Sequence, residues 1–242
     1  MKKRALTFVL LAAAVLVATT RATASGVTCR EGGPQCLNGN SHFDWTQNYG
    51  PSFSTIPNNS FALSSSGDLA QVNFAQGGDG ERLDQGNGWN GNFKNGNELL
   101  WTNSPGQGPL TLIFVGVGGG ENVTRVGANI QTHSFGPFTA LIQAFDLNGY
   151  LIDSFSEDGN SNGNGNNSAI FIGLEEEGDI GSVTFSITSC VADCNDFAIN
   201  QVDIVTRCEC GVPEPASLFL FGTGLLGLGG GRRLFSRRRV RS

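Results

Sequence analysis

Helix signals are missing from the body of this chain. Between its termini no segment of about ten to twelve residues joins a 3.6-residue apolar period to recognisable caps, which sets aside helical and α/β architectures. Basic residues are scarce there too. Residues 25–211 hold only Arg30, Arg82, Lys94, Arg125 and Arg207 against 20 acids, a balance of −15 that the whole-chain figure of −6 conceals. Nucleic acid and anionic headgroups need a basic footprint and are thereby excluded as partners of that region. The only histidines are His42 and His133, and neither lies in a recognisable nucleophile context, so a Ser-His-Asp hydrolase has no support. His-Glu-x-x-His and Cys-x2-Cys are likewise absent, which removes the common zinc classes. Gly116-Val117-Gly118-Gly119-Gly120 precedes a strand pattern, with no helix N-terminus to hold a phosphate. A full-length apolar span is lacking as well: residues 216–231 run uncharged for about 24 Å as a helix, short of the ~20 residues a permanent span uses.

What the chain does contain is glycine, 35 of them, clustered at turns together with Asn, Ser and Pro. Between the clusters lie short segments of strand character, at 42–49, 60–64, 69–74, 98–101, 110–115, 125–131, 139–146, 151–156, 168–174, 180–189 and 196–206. Alternation places Ala140, Ile142 and Ala144 on one face, and Val183, Phe185 and Ile187 on another. Phe197 and Ile199 change parity with Val202 and Ile204, which predicts a bulge at Asn200-Gln201. Asn148-Gly149 predicts a tight hairpin turn. Many short strands with frequent turns make the body an all-β sandwich or barrel, the sandwich being preferred. Residues 77–97 and 158–167 read as long irregular loops, the second simply flexible.

The termini frame this body. Lys2, Lys3 and Arg4 precede an apolar stretch to Ala18, and Ala22-Thr23-Ala24 offers a cleavage site, so residues 1–24 read as a secretory signal peptide. Residues 25–211 then form one extracytoplasmic domain, and 212–242 the tail. That tail carries Pro213-Glu214-Pro215, the apolar run, and arginines at 232, 233, 237, 238, 239 and 241. The arginines belong on the cytoplasmic side, and Arg232 and Arg233 could snorkel to lengthen a single transmembrane helix. An ordinary tail anchor is the plainer alternative. Motif, apolar run and terminal arginines, in that order, closely resemble the PEP-CTERM sorting signal of bacterial exported proteins. The resemblance implies a membrane protease-transpeptidase, the exosortase, as partner. It implies a membrane-anchored intermediate and then the cell surface or extracellular matrix as destination.

The body also carries a resemblance. Gly88-Trp89-Asn90-Gly91-Asn92-Phe93 with Glu98-Leu99-Leu100-Trp101, then Ala144-Phe145-Asp146-Leu147-Asn148-Gly149, Phe171-Ile172-Gly173-Leu174 and Phe197-Ala198-Ile199-Asn200-Gln201-Val202, is similar to exported domains bearing this signal. Such domains resemble carbohydrate-binding jelly rolls. The resemblance implies a structural calcium beside the first and last strands, with Asp44 and Asn200, although Asn200 stands where those domains carry Asp. It also implies first and last strands that are antiparallel neighbours. Cys190 and Cys194 then close one hairpin end, while Cys29 and Cys36 bond Cys208 and Cys210 in an unassigned order. Local pairs Cys29–Cys36 and Cys208–Cys210 are the alternative. Cysteines confined to the exported part fit an oxidising compartment.

Chemistry has few candidates. Asp79, Glu81 and Asp84 half-match a calcium repeat, but Arg82 occupies an expected Asp position and the unit occurs once. Glu175, Glu176, Glu177 and Asp179 read as a solvated acidic turn before a cation site. A glycosidase pair needs two acids about 5–9.5 Å apart, which sequence does not display. Trp45, Tyr49, Trp89 and Trp101 are aromatic candidates for a sugar platform, with Trp89 in its Asn-Gly loop the one expected to touch ligand. The expectation is an exported, non-catalytic structural or glycan-associated protein of the biofilm or exopolysaccharide type, without a cofactor. A carbohydrate-binding module proper and a secreted glycan hydrolase are the rivals.

Overall fold

A computed structural model describes residues 25–29, 37–116, 121–176 and 179–208. The signal peptide, the sorting motif Pro213-Glu214-Pro215, the expected transmembrane helix, Cys36 and Cys210 lie outside them. Strands hold 57% of the described residues and helix almost none, so the all-β expectation holds. Among the described residues no helix is long and apolar enough to cross a membrane.

The elements in chain order are β1 Ser25–Cys29, β2 Ser41–Phe43, α1 Trp45–Tyr49, β3 Ser54–Ile56, β4 Ser60–Leu63, β5 Leu69–Phe74, β6 Gly80–Gln85, β7 Gly88–Trp89 and β8 Glu98–Trp101. They continue with β9 Leu110–Gly116, β10 Glu121–Thr132, β11 Gly136–Phe145, β12 Leu151–Ser161, β13 Ile170–Glu175, β14 Ser182–Ser189, β15 Phe197–Ile199 and β16 Val202–Cys208. One sheet runs β1-β13-β10-β15-β8-β6-β3, with β16 between β10 and β2, and β7 beside β6; the other runs β12-β11-β14-β9-β5-β4. Pairing is antiparallel except for the short β6–β7 contact.

The two sheets face each other across one core. Val126, Ala128, Ile130, Ile172 and Ile204 meet Ala140, Ile142, Ala144, Val183, Phe185 and Leu112, all buried. The alternation read in β11 and β14 is the alternation that fills this core, because a period of two commits every second side chain to one face. A satellite cluster of Leu83, Trp89, Phe93, Leu99, Ala169 and Ala198 lies beyond it.

Four local expectations change. Residues 42–49 are not one strand: β2 ends at Phe43, and Asp44 caps a short helix by accepting the Gln47 N–H at 2.9 Å. The stretch 77–97 is not irregular, since β6 and β7 lie within it. Residues 25–29, outside every segment of expected strand character, pair with β13 as β1. Residues 158–167 begin as the end of β12 and are then tied down, because buried Gln131 donates to Ser161 Oγ at 2.7 Å and the Asn162 N–H bonds Asn92 at 2.6 Å.

The expected irregularity at Asn200-Gln201 is present as a full break between β15 and β16. Asn200 bridges it with its own amide: Oδ1 accepts the Asn129 N–H at 2.8 Å, and the Asn200 N–H donates to Asn129 O at 3.1 Å. The side chain thus replaces a backbone acceptor that the parity change removes.

The Cys190–Cys194 disulfide forms as expected, with Cα atoms 5.5 Å apart. A bond from Cys29 to the end of β16 does not fit the register. Cys29 pairs with Phe171 and Phe171 with Asn129, whereas Cys208 pairs with Glu121. Asn129 and Glu121 are separated by roughly 26 Å of strand, against the ~7 Å Cα limit of a disulfide. Two more residues to Cys210 add at most about 7 Å.

Candidate functional site

The break after β15 and the cap of α1 create one opening. A cavity of about 280 Å³ is lined by Asp44, Trp45, Gly96, Asn97, Glu98, Asn200 and Gln201. Asp44 reaches it as the N-cap of α1 and Glu98 as the first residue of β8. The Trp45 indole anchors the wall by donating Nε1–H to Asn200 O at 2.7 Å. Behind Glu98, buried Arg82 ion-pairs with Asp84 at 2.5 Å and Glu98 at 3.5 Å, and it donates to Thr46 Oγ1.

The Asp44 and Glu98 carboxyls line this cavity together and shift each other's protonation. Burial pushes Asp44 up, but the Glu98 hydrogen bond and the N–H groups of Gln47 and Thr46 outweigh it and leave the carboxyl below its ordinary value. Burial first, and the Asp44 carboxyl second, push Glu98 up. Of the two, Glu98 is therefore the first to take up a proton as pH falls.

The structure does bring Asp44 and Asn200 to one cavity, as the calcium expectation required. The donors do not fit that role as they stand. Asn200 Oδ1 accepts from the Asn129 N–H and its carbonyl from the Trp45 indole, so both Asn200 oxygens are already engaged. Among the described residues no group of three or more His, Cys, Asp and Glu side chains is placed to hold a metal ion.

Trp89, expected to meet ligand, is only 3% exposed. Its ring packs against Phe93 and Trp101, with centroids 6.4 and 6.1 Å away, so it offers no stacking face. Trp45 is buried beneath the cavity, and Tyr49 is half-buried with its hydroxyl bonded to Ser60. In the Trp89 cluster the ring that meets solvent is His133, 57% exposed along its side chain. It lies 5.2 Å from Trp89 and 5.7 Å from half-buried Trp101. Asp196, nearly buried, accepts Trp101 Nε1–H at 2.6 Å through one oxygen and holds His133 Nδ1 at 3.0 Å through the other. A carboxylate in that position selects the tautomer with the proton on Nδ1 and leaves Nε2 open. The sequence gives no site role to His133, Asp196 or Glu98, because each meets its partners only through the fold. Asp44 alone had a local signal, as a capping residue three positions before Gln47.

Nothing among curated proteins or solved structures matches the chain. Residues 211–233 match the PEP-CTERM protein-sorting motif. That match spans Pro213, Glu214 and Pro215, the apolar run and the first two arginines. The chain thus carries the PEP-CTERM sorting signal and is, by that signal, an exported protein of the kind processed by exosortase.

Proposed function

We propose that the protein is a non-catalytic component of the cell surface or extracellular matrix, structural or glycan-associated, carried there by its C-terminal signal. The observation that carries this reading is the sorting motif at residues 211–233, attached to a β-rich domain of two packed sheets. In this reading the body is a jelly-roll-like sandwich. The apolar run 216–231 is a single membrane helix that holds the intermediate until exosortase acts, and the acidic domain is then left outside. Replacing Glu214 with Ala tests the sorting step. Membrane fractions are expected to retain the full-length chain while the processed form disappears from the surface; unchanged processing would reduce the tail to a plain anchor.

The exposed edge of the His133–Trp101 cluster favours a second reading, a carbohydrate-binding module. An aromatic face with a carboxylate-oriented imidazole suits a neutral sugar ring, which stacks on π surface and takes hydrogen bonds at its rim. On a glycan array, Trp101→Ala and His133→Ala are expected to lose binding together. Arrays blank with the unsubstituted protein leave the structural role as the reading.

A further inference from the structure

The chain leaves the described fold at the same end of the sandwich that presents its most exposed apolar turn. Cys208, the last residue of β16, pairs with Glu121. Two residues further along that strand, Val123 O accepts the Ile180 N–H, and the next N–H, of Gly181, donates to Phe145 O. Phe145 is the last residue of β11. Beyond it the β11–β12 turn projects Leu147, 69% exposed, and Tyr150, 72% exposed, followed by exposed Leu151 and Ile152. The sorting motif begins at residue 211, three residues past Cys208 and therefore within about 10 Å of that end.

The turn is built, not loose. Asp146 Oδ1 accepts the N–H groups of Asn148 and Tyr150, both at 2.8 Å, and the Asp146 N–H donates to Tyr150 O at 2.8 Å. Gly149 supplies the positive φ of +81° that closes it. A closed turn of this kind holds Leu147 and Tyr150 at the tip without spending the hydrogen bonds that order it. Solvent-facing leucine and tyrosine at a fixed tip are side chains that partition to the bilayer interface, tyrosine at headgroup level. The charges at this end are Glu121, Asp146, Asp153, Glu175 and Asp179, against Arg125, which is paired to Glu175, and exposed Arg207 beside Cys208. That acidic rim disfavours anionic headgroups and leaves neutral lipid as the matching surface.

We infer that the β11–β12 tip, Leu147 and Tyr150 foremost, seats on the neutral lipid surface of the membrane that holds the C-terminal segment before processing. This rests on the proposed reading that residues 216–231 enter the bilayer. The short tether keeps the tip at high effective concentration at that surface, so a weak apolar contact suffices. It fixes the exit end toward the membrane and points the opposite end, with His133 and the Cys190–Cys194 loop, away from it.

The full-length chain, reconstituted in phosphatidylcholine vesicles with brominated acyl chains, tests the contact. Tyr150→Trp reports from the tip and Val191→Trp from the far end, each read against the unsubstituted protein. A severalfold greater loss of emission at position 150 than at 191 is expected, and Leu147→Trp should behave as position 150 does. Carbonate extraction of the same vesicles reports separately whether the tail is inserted. Extraction-resistant protein with no quenching at 147 or 150 overturns the tip contact while leaving the tail reading intact. Protein that washes off the vesicles overturns both. A shielded tip without quenching, in a dimer that Leu147→Asp dissociates, would assign the surface to a second copy and also overturn the inference.

Discussion

Asp203 shows what a single buried carboxyl does to stability. It points away from the core between Val202 and Ile204, yet it is 1% exposed. Gln201 Nε2 donates to one oxygen at 2.6 Å, and the other has no hydrogen-bond partner among the described residues. Burial pushes this group up to about 6, only partly opposed by Gln201. Native and unfolded chains are both protonated below pH 4, so the contribution to stability is complete there. Between the unfolded value near 4 and the folded value the unfolded chain ionises first, and stability falls as pH rises, levelling above pH 6. The drop is about 3 kcal/mol for a shift of this size. Urea melts of Asp203→Asn at pH 4, 5, 6 and 7 are expected to lose this decline and to exceed the parent in stability at pH 7. A variant that declines in parallel with the parent would assign the pH dependence to other groups. Trp89 makes the complementary point: its Asn-Gly surroundings look like an exposed loop, whereas Phe93 and Leu99 close over it.

At the level of elements, legibility follows from how local the cause is. The faces of β11 and β14 were readable because alternation is written in consecutive residues, and the Asn148-Gly149 hairpin because its turn is made by the residues that name it. The parity change at Asn200-Gln201 was readable for the same reason. The unreadable parts depend on partners far along the chain. The loop at 158–167 looks flexible until Gln131 and Asn92 are brought beneath it. The Asp44–Glu98 pair exists only because the α1 cap and the start of β8 meet. Cysteine pairing belongs to this second group. Cys190–Cys194 spans one turn and was legible, and so was the antiparallel pairing of the first predicted strand with the last, present as β2 on β16, whereas the expected link from Cys29 to the end of β16 also needed residue 29 to lie beside that pair. It is β2, not β1, that pairs with β16, and Asn40, just before β2, exchanges hydrogen bonds with Thr206 at 2.9 Å each way. Non-reducing peptide mapping is expected to find no Cys29–Cys208 and no Cys29–Cys210 fragment. Recovery of either would mean that β1 is not where the register puts it.

At the scale of the whole molecule, charge, topology and destination form one argument. Ten of the fifteen positive charges sit outside residues 25–211, four before and six after. A chain cleaved at Ala24 and near Pro213-Glu214-Pro215 would lose all ten and keep a domain at −15. The arginines therefore serve orientation during export, not binding by the folded domain. The domain's own acids repel anionic headgroups, so once the tail is cut only the apolar β11–β12 tip is left to hold that end at a neutral lipid surface. Such a tip without its tether is a weak anchor, since a few interfacial side chains bind reversibly. Cutting the tail therefore does more than sever a covalent link. It also removes the effective concentration that kept the tip on the bilayer, and the same event frees the exit end and sends the His133 face outward with the whole domain. On the proposed reading of tail and tip, placing the exit strand beside the apolar turn makes retention conditional on the uncut tail and release a consequence of the cut.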